Sequence, residues 1–179
     1  MQSLADLVEG KRVALVGNAS SIVETATAEQ IDGHDIVVRM NLGLPHLRYS
    51  KTVGKRTDVW ASAKYWPEVT APADCKLIVF MKLTPLGDMH WEKWRIDGSL
   101  GVPMIRWPRA LEADCREFVG ADPGTGIRLL WWLKTHAKPS QVSVFGFDCW
   151  KTPSAWSGRF NTPNHDPKLE QAALEKLLP

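Results

Sequence analysis

Short apolar runs, set apart by turn-forming residues, organise this chain, and their lengths predict strands alternating with helices. Arg12 to Val16 reads as a continuous buried strand closing on Gly17-Asn18-Ala19-Ser20-Ser21, and Ile36 to Met40 is a β-branched run closing on Asn41. Thr57 to Ala61, Leu77 to Met81, Met104 to Trp107 and Gln141 to Phe147 supply four more candidate strands. Ile22 to Gln30 reads as a helix, and Ile127 to His136, apolar on more than one face and bounded by Pro139, reads as a buried one. Lys168 to Leu178 carries Leu169, Ala172, Ala173 and Leu177 at helical spacing, with Pro167 placed for the first turn and Asp166 as the N-cap.

Apolar runs without polar alternation suit strands covered on both faces, and strands interleaved with helices give the α/β class. The expected architecture is a Rossmann-like, mostly parallel sheet flanked by helices, with a ligand crevice at the carboxyl ends of the strands. At 179 residues the chain suits one domain spanning 1–179. Its 44% hydrophobic and 23% charged residues are ordinary for a folded protein, which excludes wholesale disorder.

A net charge of +2 gives no footing for nucleic-acid binding. Lys51, Lys55, Arg56 and Lys64 still form one basic stretch, which is either a solvated surface or a draw for an anionic ligand or membrane surface. Three cysteines without CxxC spacing, Cys75, Cys115 and Cys149, argue against a disulfide framework or a zinc site, and point to a reducing compartment. The amino-terminal residues lack a signal-peptide pattern and no run approaches the roughly 18 apolar residues of a membrane span, so a cytoplasmic location is expected. Of nine tryptophans, Trp131 and Trp132 fall in the buried helix, while Trp150 and Trp156 follow a strand end and are open to either core or cleft.

Three segments carry candidate chemistry. Gly17-Asn18 sits between a strand and a helix, where backbone N–H groups can face an anion, although such residues also make plain structural turns. Gly124-Thr125-Gly126 repeats the arrangement ahead of a second helix, with helix capping as the competing reading of Thr125. Neither matches G-x-G-x-x-G or a Walker pattern, which disfavours NAD and ATP. His165 lies just outside the last helix and Glu170 about one turn inside it. Asp32 and Asp35 read as turn caps, and His34, His46, His90 and His136 have no partners at metal-ligand spacing.

Taken together these segments resemble a known family. Val13 to Ser20, with Ile31 to Asn41 and Val53 to Thr57, is similar to the large sialylmotif of the family 29 glycosyltransferases, the sialyltransferases. Pro123 to Gly126 with Val142 to Phe147 resembles their small motif, and His165-x4-Glu170 their very small motif. The resemblance implies a GT-A-like variant of the parallel-sheet fold. It also implies transfer, with inversion, of sialic acid or a Kdo-like sugar from a CMP-activated donor to an acceptor glycan or glycolipid hydroxyl.

On that resemblance Asn18 and Asn41 contact the nucleotide, Gly124-Thr125-Gly126 contacts ribose or the donor carboxylate, and His165 is the general base. Gly17, Ser20 and Glu170 complete the donor-binding set. No cofactor, catalytic metal or nucleic-acid partner is expected, and peripheral membrane association would follow from a glycolipid acceptor. The cysteines that join the large and small motifs in animal members are replaced by Val13 and Pro139. The family's third, aromatic-histidine motif is not evident, leaving Trp156, Arg159 and Lys151 as substitutes for its phosphate contact. Another nucleotide-using α/β enzyme and a non-catalytic nucleotide-binding protein are the competing readings.

Overall fold

The computed structural model describes residues 1–43, 50–64, 69–81, 88–93, 101–159 and 165–178. Six strands form one fully parallel sheet: β1 (Arg12–Val16), β2 (Ile36–Met40), β3 (Val59–Ser62), β4 (Leu77–Phe80), β5 (Met104–Arg106) and β6 (Gln141–Phe145). Their spatial order is β5-β4-β3-β2-β1-β6. The chain therefore builds outward from β1 in one direction and returns to its other side with β6. That reversal makes the β1/β6 boundary the switch point, where a crevice opens beyond the strand ends.

Side chains alternate across the sheet and feed two faces. Val13, Leu15, Val38, Met40, Val59 and Ala61 pack under α1 (Gln2–Val8), α5 (Arg109–Val119), α6 (Thr125–Thr135) and α7 (Pro167–Leu177). Ala14, Val16 and Val37 pack against residues of α2 (Ile22–Thr25), α3 (Ala28–Asp32) and α4 (Ser50–Val53). Farther along that face Trp60, Ile78 and Phe80 enclose Cys75. Both faces of β1 and β2 are thus covered, which is why their sequences are almost wholly apolar; the buried exception, Arg39, donates to the carbonyls of Val53 and Arg56. The α/β expectation holds.

The element boundaries differ in instructive ways. The helix expected over Ile22 to Gln30 is two, because Ala26 and Thr27 are extended and Thr27 opens a capping box with Gln30. The last strand stops at Phe145 rather than Phe147, since Gly146 takes a left-handed φ of 66° and turns the chain away. The buried helix starts two residues early, at Thr125, with Trp131 and Trp132 in the core as expected. Asp166 caps α7 by accepting from the N–H groups of Lys168 and Leu169. Helices α1, α4 and α5 have no counterpart among the elements expected from sequence.

Arg56 of the basic stretch serves the opposite end of the sheet from the switch point. It donates to the carbonyls of Asp32, His34 and Asp35 and pairs with Asp58 at 2.8 Å. Asp32 accepts from the backbone of Lys55 and Arg56, and Asp35 from that of Arg12, the capping roles expected of them. Among the described residues no helix is long and apolar enough to cross a membrane.

Candidate active site

The register Val16 to Phe145 sets the turns after β1 and β6 side by side. Gly17 N–H donates to the Phe145 carbonyl at 2.7 Å, and a Cβ at Gly17 would lie 2.3 Å from the Gly146 oxygen. Glycine is therefore required here for backbone contact. These turns form one wall of a cleft of about 1360 Å³, whose other walls come from the ends of β2 and β3, from α5 and from the starts of α6 and α7.

On the β1 side, Asn18 Oδ1 accepts from the Trp156 indole at 3.0 Å. On the β2 side, Asn41 has a left-handed φ of 48°, which asparagine tolerates, and its Oδ1 accepts from Ala63 N–H at 2.9 Å. Both carboxamide oxygens are thus committed to protein donors. What each side chain can still offer the cleft is its NH2, a donor suited to phosphate, carbonyl or hydroxyl oxygens.

On the α6 side, Gly124 N–H donates to Glu170 Oε1 at 2.6 Å, while Glu170 Oε2 accepts from the Trp150 indole at 3.1 Å. Glu170 is only 5% exposed, so these bonds replace its hydration. His165 Nδ1 lies 3.0 Å from the Asp122 carbonyl and 3.6 Å from Glu170 Oε1. A carbonyl can only accept, so Nδ1 carries a proton, and in the neutral imidazole the lone pair is on Nε2. The imidazole stacks on Trp150 with centroids 5.2 Å apart and planes inclined by 11°. Trp150 and Cys149 reach this position through consecutive left-handed φ values of 67° and 52°. Such backbone costs about 1–3 kcal/mol per residue and recurs where side chains are aimed for function.

Beneath His165 lies a charged cluster. Arg128 grips Glu112 with two bonds, at 2.8 and 2.7 Å, and Asp122 at 2.7 Å, while Arg116 bridges the same two carboxylates. Burial pushes the Glu112 carboxyl up, but the guanidiniums of Arg128 and Arg116 more than offset this and hold it below its ordinary value. The cluster holds Asp122, whose carbonyl faces His165 Nδ1. Cys149, also in the cleft, is a poor nucleophile, because burial drives its thiol up to about 11.

Of the residues expected from sequence, Gly17, Asn18, Asn41, Gly124, Thr125, Gly126, His165 and Glu170 all line this cleft. Ser20 is not among its lining residues and spends its backbone N–H on the Pro153 carbonyl, stitching the turn to the segment after β6. Gly126 has a packing reason, since a Cβ there would meet Phe147 at 2.7 Å. Trp150, Trp156 and Arg159 line the cleft, as does Lys64 alone of the basic stretch; Lys151 does not. Glu112 and Arg116 pair at i,i+4 within α5, a spacing that marks an ordinary helix-surface pair, and only when α5 packs beside α6 does Arg128 reach Glu112. His34 bonds Gln30 and Ser143 away from the cleft, and His46 lies outside the described residues. Among the described residues no group of three or more His, Cys, Asp or Glu could hold a metal ion.

The family model described as glycosyltransferase family 29 (sialyltransferase) matches residues 6–65, which contain Gly17, Asn18 and Asn41. Over those residues the chain is similar to the family 29 sialyltransferases. The CMP-N-acetylneuraminate-beta-galactosamide-alpha-2,3-sialyltransferase 1 of Gallus gallus is 25% identical over 156 residues, covering 76% of this chain and 44% of that protein. The crystal structure of a mammalian sialyltransferase matches with a TM-score of 0.70, and its complex with Gal-beta-1-3GalNAc-ortho-nitrophenol with 0.68. Each is 21% identical and covers 93% of this chain and 65% of the other. The chain thus shares the fold of these structures while spanning less than half the length of the curated protein it matches.

Proposed function

We propose that this chain transfers a sugar from a CMP-activated donor to an acceptor hydroxyl with inversion, His165 acting as general base. The observation that carries the reading is the setting of His165: Nδ1–H faces the Asp122 carbonyl, the ring stacks on Trp150, and the residue lines the cleft, so in the neutral ring Nε2 is the atom that can act as base. As Nε2 takes the acceptor proton, the acceptor oxygen bonds to the anomeric carbon. The bond from that carbon to the CMP phosphate breaks, and its electron pair leaves on the phosphate. The Glu170 carboxylate, 3.6 Å from Nδ1, stabilises the imidazolium as it forms.

Inversion in one displacement needs no protein nucleophile, and no cofactor or metal enters the scheme. The NH2 groups of Asn18 and Asn41 suit the nucleotide, and the α6 start suits an anionic group. The name of the chicken relative favours sialic acid over a Kdo-like sugar as the donor sugar and a galactoside as acceptor. Three unpaired thiols support a reducing compartment, hence the cytoplasm, and a glycolipid acceptor would bring the protein to a membrane surface.

The test is product analysis with CMP-sialic acid and CMP-Kdo, each against a panel of galactosides and glycolipids. A glycoside of inverted anomeric configuration from either donor supports the reading and names the sugar. CMP binding without transfer or donor hydrolysis for any pair would instead support the non-catalytic nucleotide-binding alternative.

A further inference from the structure

The segment after β6 does more than return the chain to α7. Asp148 accepts from Ser21 Oγ at 3.0 Å and from both the backbone and hydroxyl of Thr152, fastening the segment to the turn after β1. Ala155 N–H donates to the Asn18 carbonyl at 2.8 Å, and Ala19 and Ser154 form an antiparallel bridge. From this fastened segment two indoles reach in different directions. Trp156 Nε1–H binds Asn18 Oδ1, and Trp150 Nε1–H binds Glu170 Oε2 while its ring covers His165.

We infer that Trp156 and Trp150 are positioning residues with separate charges, the first setting the nucleotide-binding amide and the second setting the base. The inference rests on the function proposed above. An asparagine amide can present either oxygen or NH2 to a ligand, and an unheld side chain samples both. The Trp156 N–H engages the oxygen and so selects the NH2-out state. Trp150 limits the imidazole to one plane, and its N–H holds the carboxylate that neighbours Nδ1. Neither indole needs to touch the reacting atoms, and the two attachments lie on opposite walls of the cleft, so their effects are separable.

The test uses Trp156→Phe and Trp150→Phe, which keep an aromatic ring and remove the N–H, read by CMP calorimetry and by CMP-sialic acid hydrolysis. Trp156→Phe should weaken CMP binding roughly fivefold to tenfold, the loss of one hydrogen bond, with kcat at saturating donor unchanged. Trp150→Phe should leave CMP affinity unchanged and lower kcat at least roughly tenfold, because a base misplaced by about an ångström loses rate steeply. The double variant should show both losses multiplied together.

Single variants that each lose affinity and kcat together would overturn the inference while leaving the proposed function standing. A wild type that binds CMP yet neither hydrolyses nor transfers any donor would remove the proposed catalysis and, with it, the Trp150 half of the inference. A wild type that does not bind CMP would instead remove the function on which the inference rests.

Discussion

Replacing Glu170 with glutamine tests how the site is held together. The carboxylate satisfies two donors at once, Gly124 N–H at 2.6 Å and the Trp150 indole at 3.1 Å, at a position almost closed to water. Glutamine offers one oxygen and one NH2, so only one of those donors keeps an acceptor; the other faces an amide donor. Each charge-assisted bond contributes about 1.5–3 kcal/mol, and a buried donor left without a partner costs about 1–3 kcal/mol. Losing one bond and halving the other gives about 2–4 kcal/mol.

For a chain of this size that corresponds to a melting temperature lower by roughly 5–15 °C. Differential scanning fluorimetry and urea titration followed by tryptophan emission measure the change. CMP titration should also show weaker binding, because the Gly124 turn is no longer fixed. A variant within about 1 °C of wild type, the range of an ordinary surface substitution, would refute the argument that Glu170 is the internal tie of the site.

Two further outcomes follow from the same geometry. Gly126→Ala places a methyl 2.7 Å from the Phe147 ring and 3.2 Å from Met40 Sδ, so overpacking should cost about 1–3 kcal/mol in urea unfolding. An unchanged midpoint would mean that Phe147 yields freely. Glu112, held below its ordinary value of 4.5, adds stability that is present above that pH and lost as pH falls through its lower folded value. The stability gap between wild type and Glu112→Gln should therefore narrow in acid unfolding curves below about pH 4.5 and stay constant near neutrality.

Much of this could be read from the chain because parallel strands buried on both faces leave a strong mark. The runs at Arg12, Ile36 and Leu77 are apolar on nearly every register, the buried Arg39 and the leading Arg12 excepted, and each emerged as a strand within a residue or so. The turn residues after β1 and β2 were visible for the same reason, as polar groups abutting such runs. Helix α5 was missed because its exposed face is charged and only Cys115 and Val119 are fully buried.

The break at Thr27 did leave a signal, the Thr-x-x-Gln spacing, but a continuous helical pattern across Ile22 to Gln30 masked it. Roles that depend on distant pairing left none. Nothing in the sequence joins Trp156 to Asn18, 138 positions away, or Gly124 to Glu170, 46 away. The sequence thus pointed to part of the cleft lining, such as Asn18, Asn41, Gly124, His165 and Glu170, but not to Glu112, Arg116 and Arg128, and the structure adds which of their atoms are already bonded to protein.

The most direct test of the central claim is CMP-sialic acid turnover by His165→Ala, set beside CMP calorimetry on the same preparation. With Nε2 removed and the Gly124–Glu170–Trp150 ties intact, kcat should fall by about 10²–10⁴ while the CMP dissociation constant changes by less than about threefold. Turnover equal to the wild type, with CMP still bound, would contradict the assignment of His165 as the base.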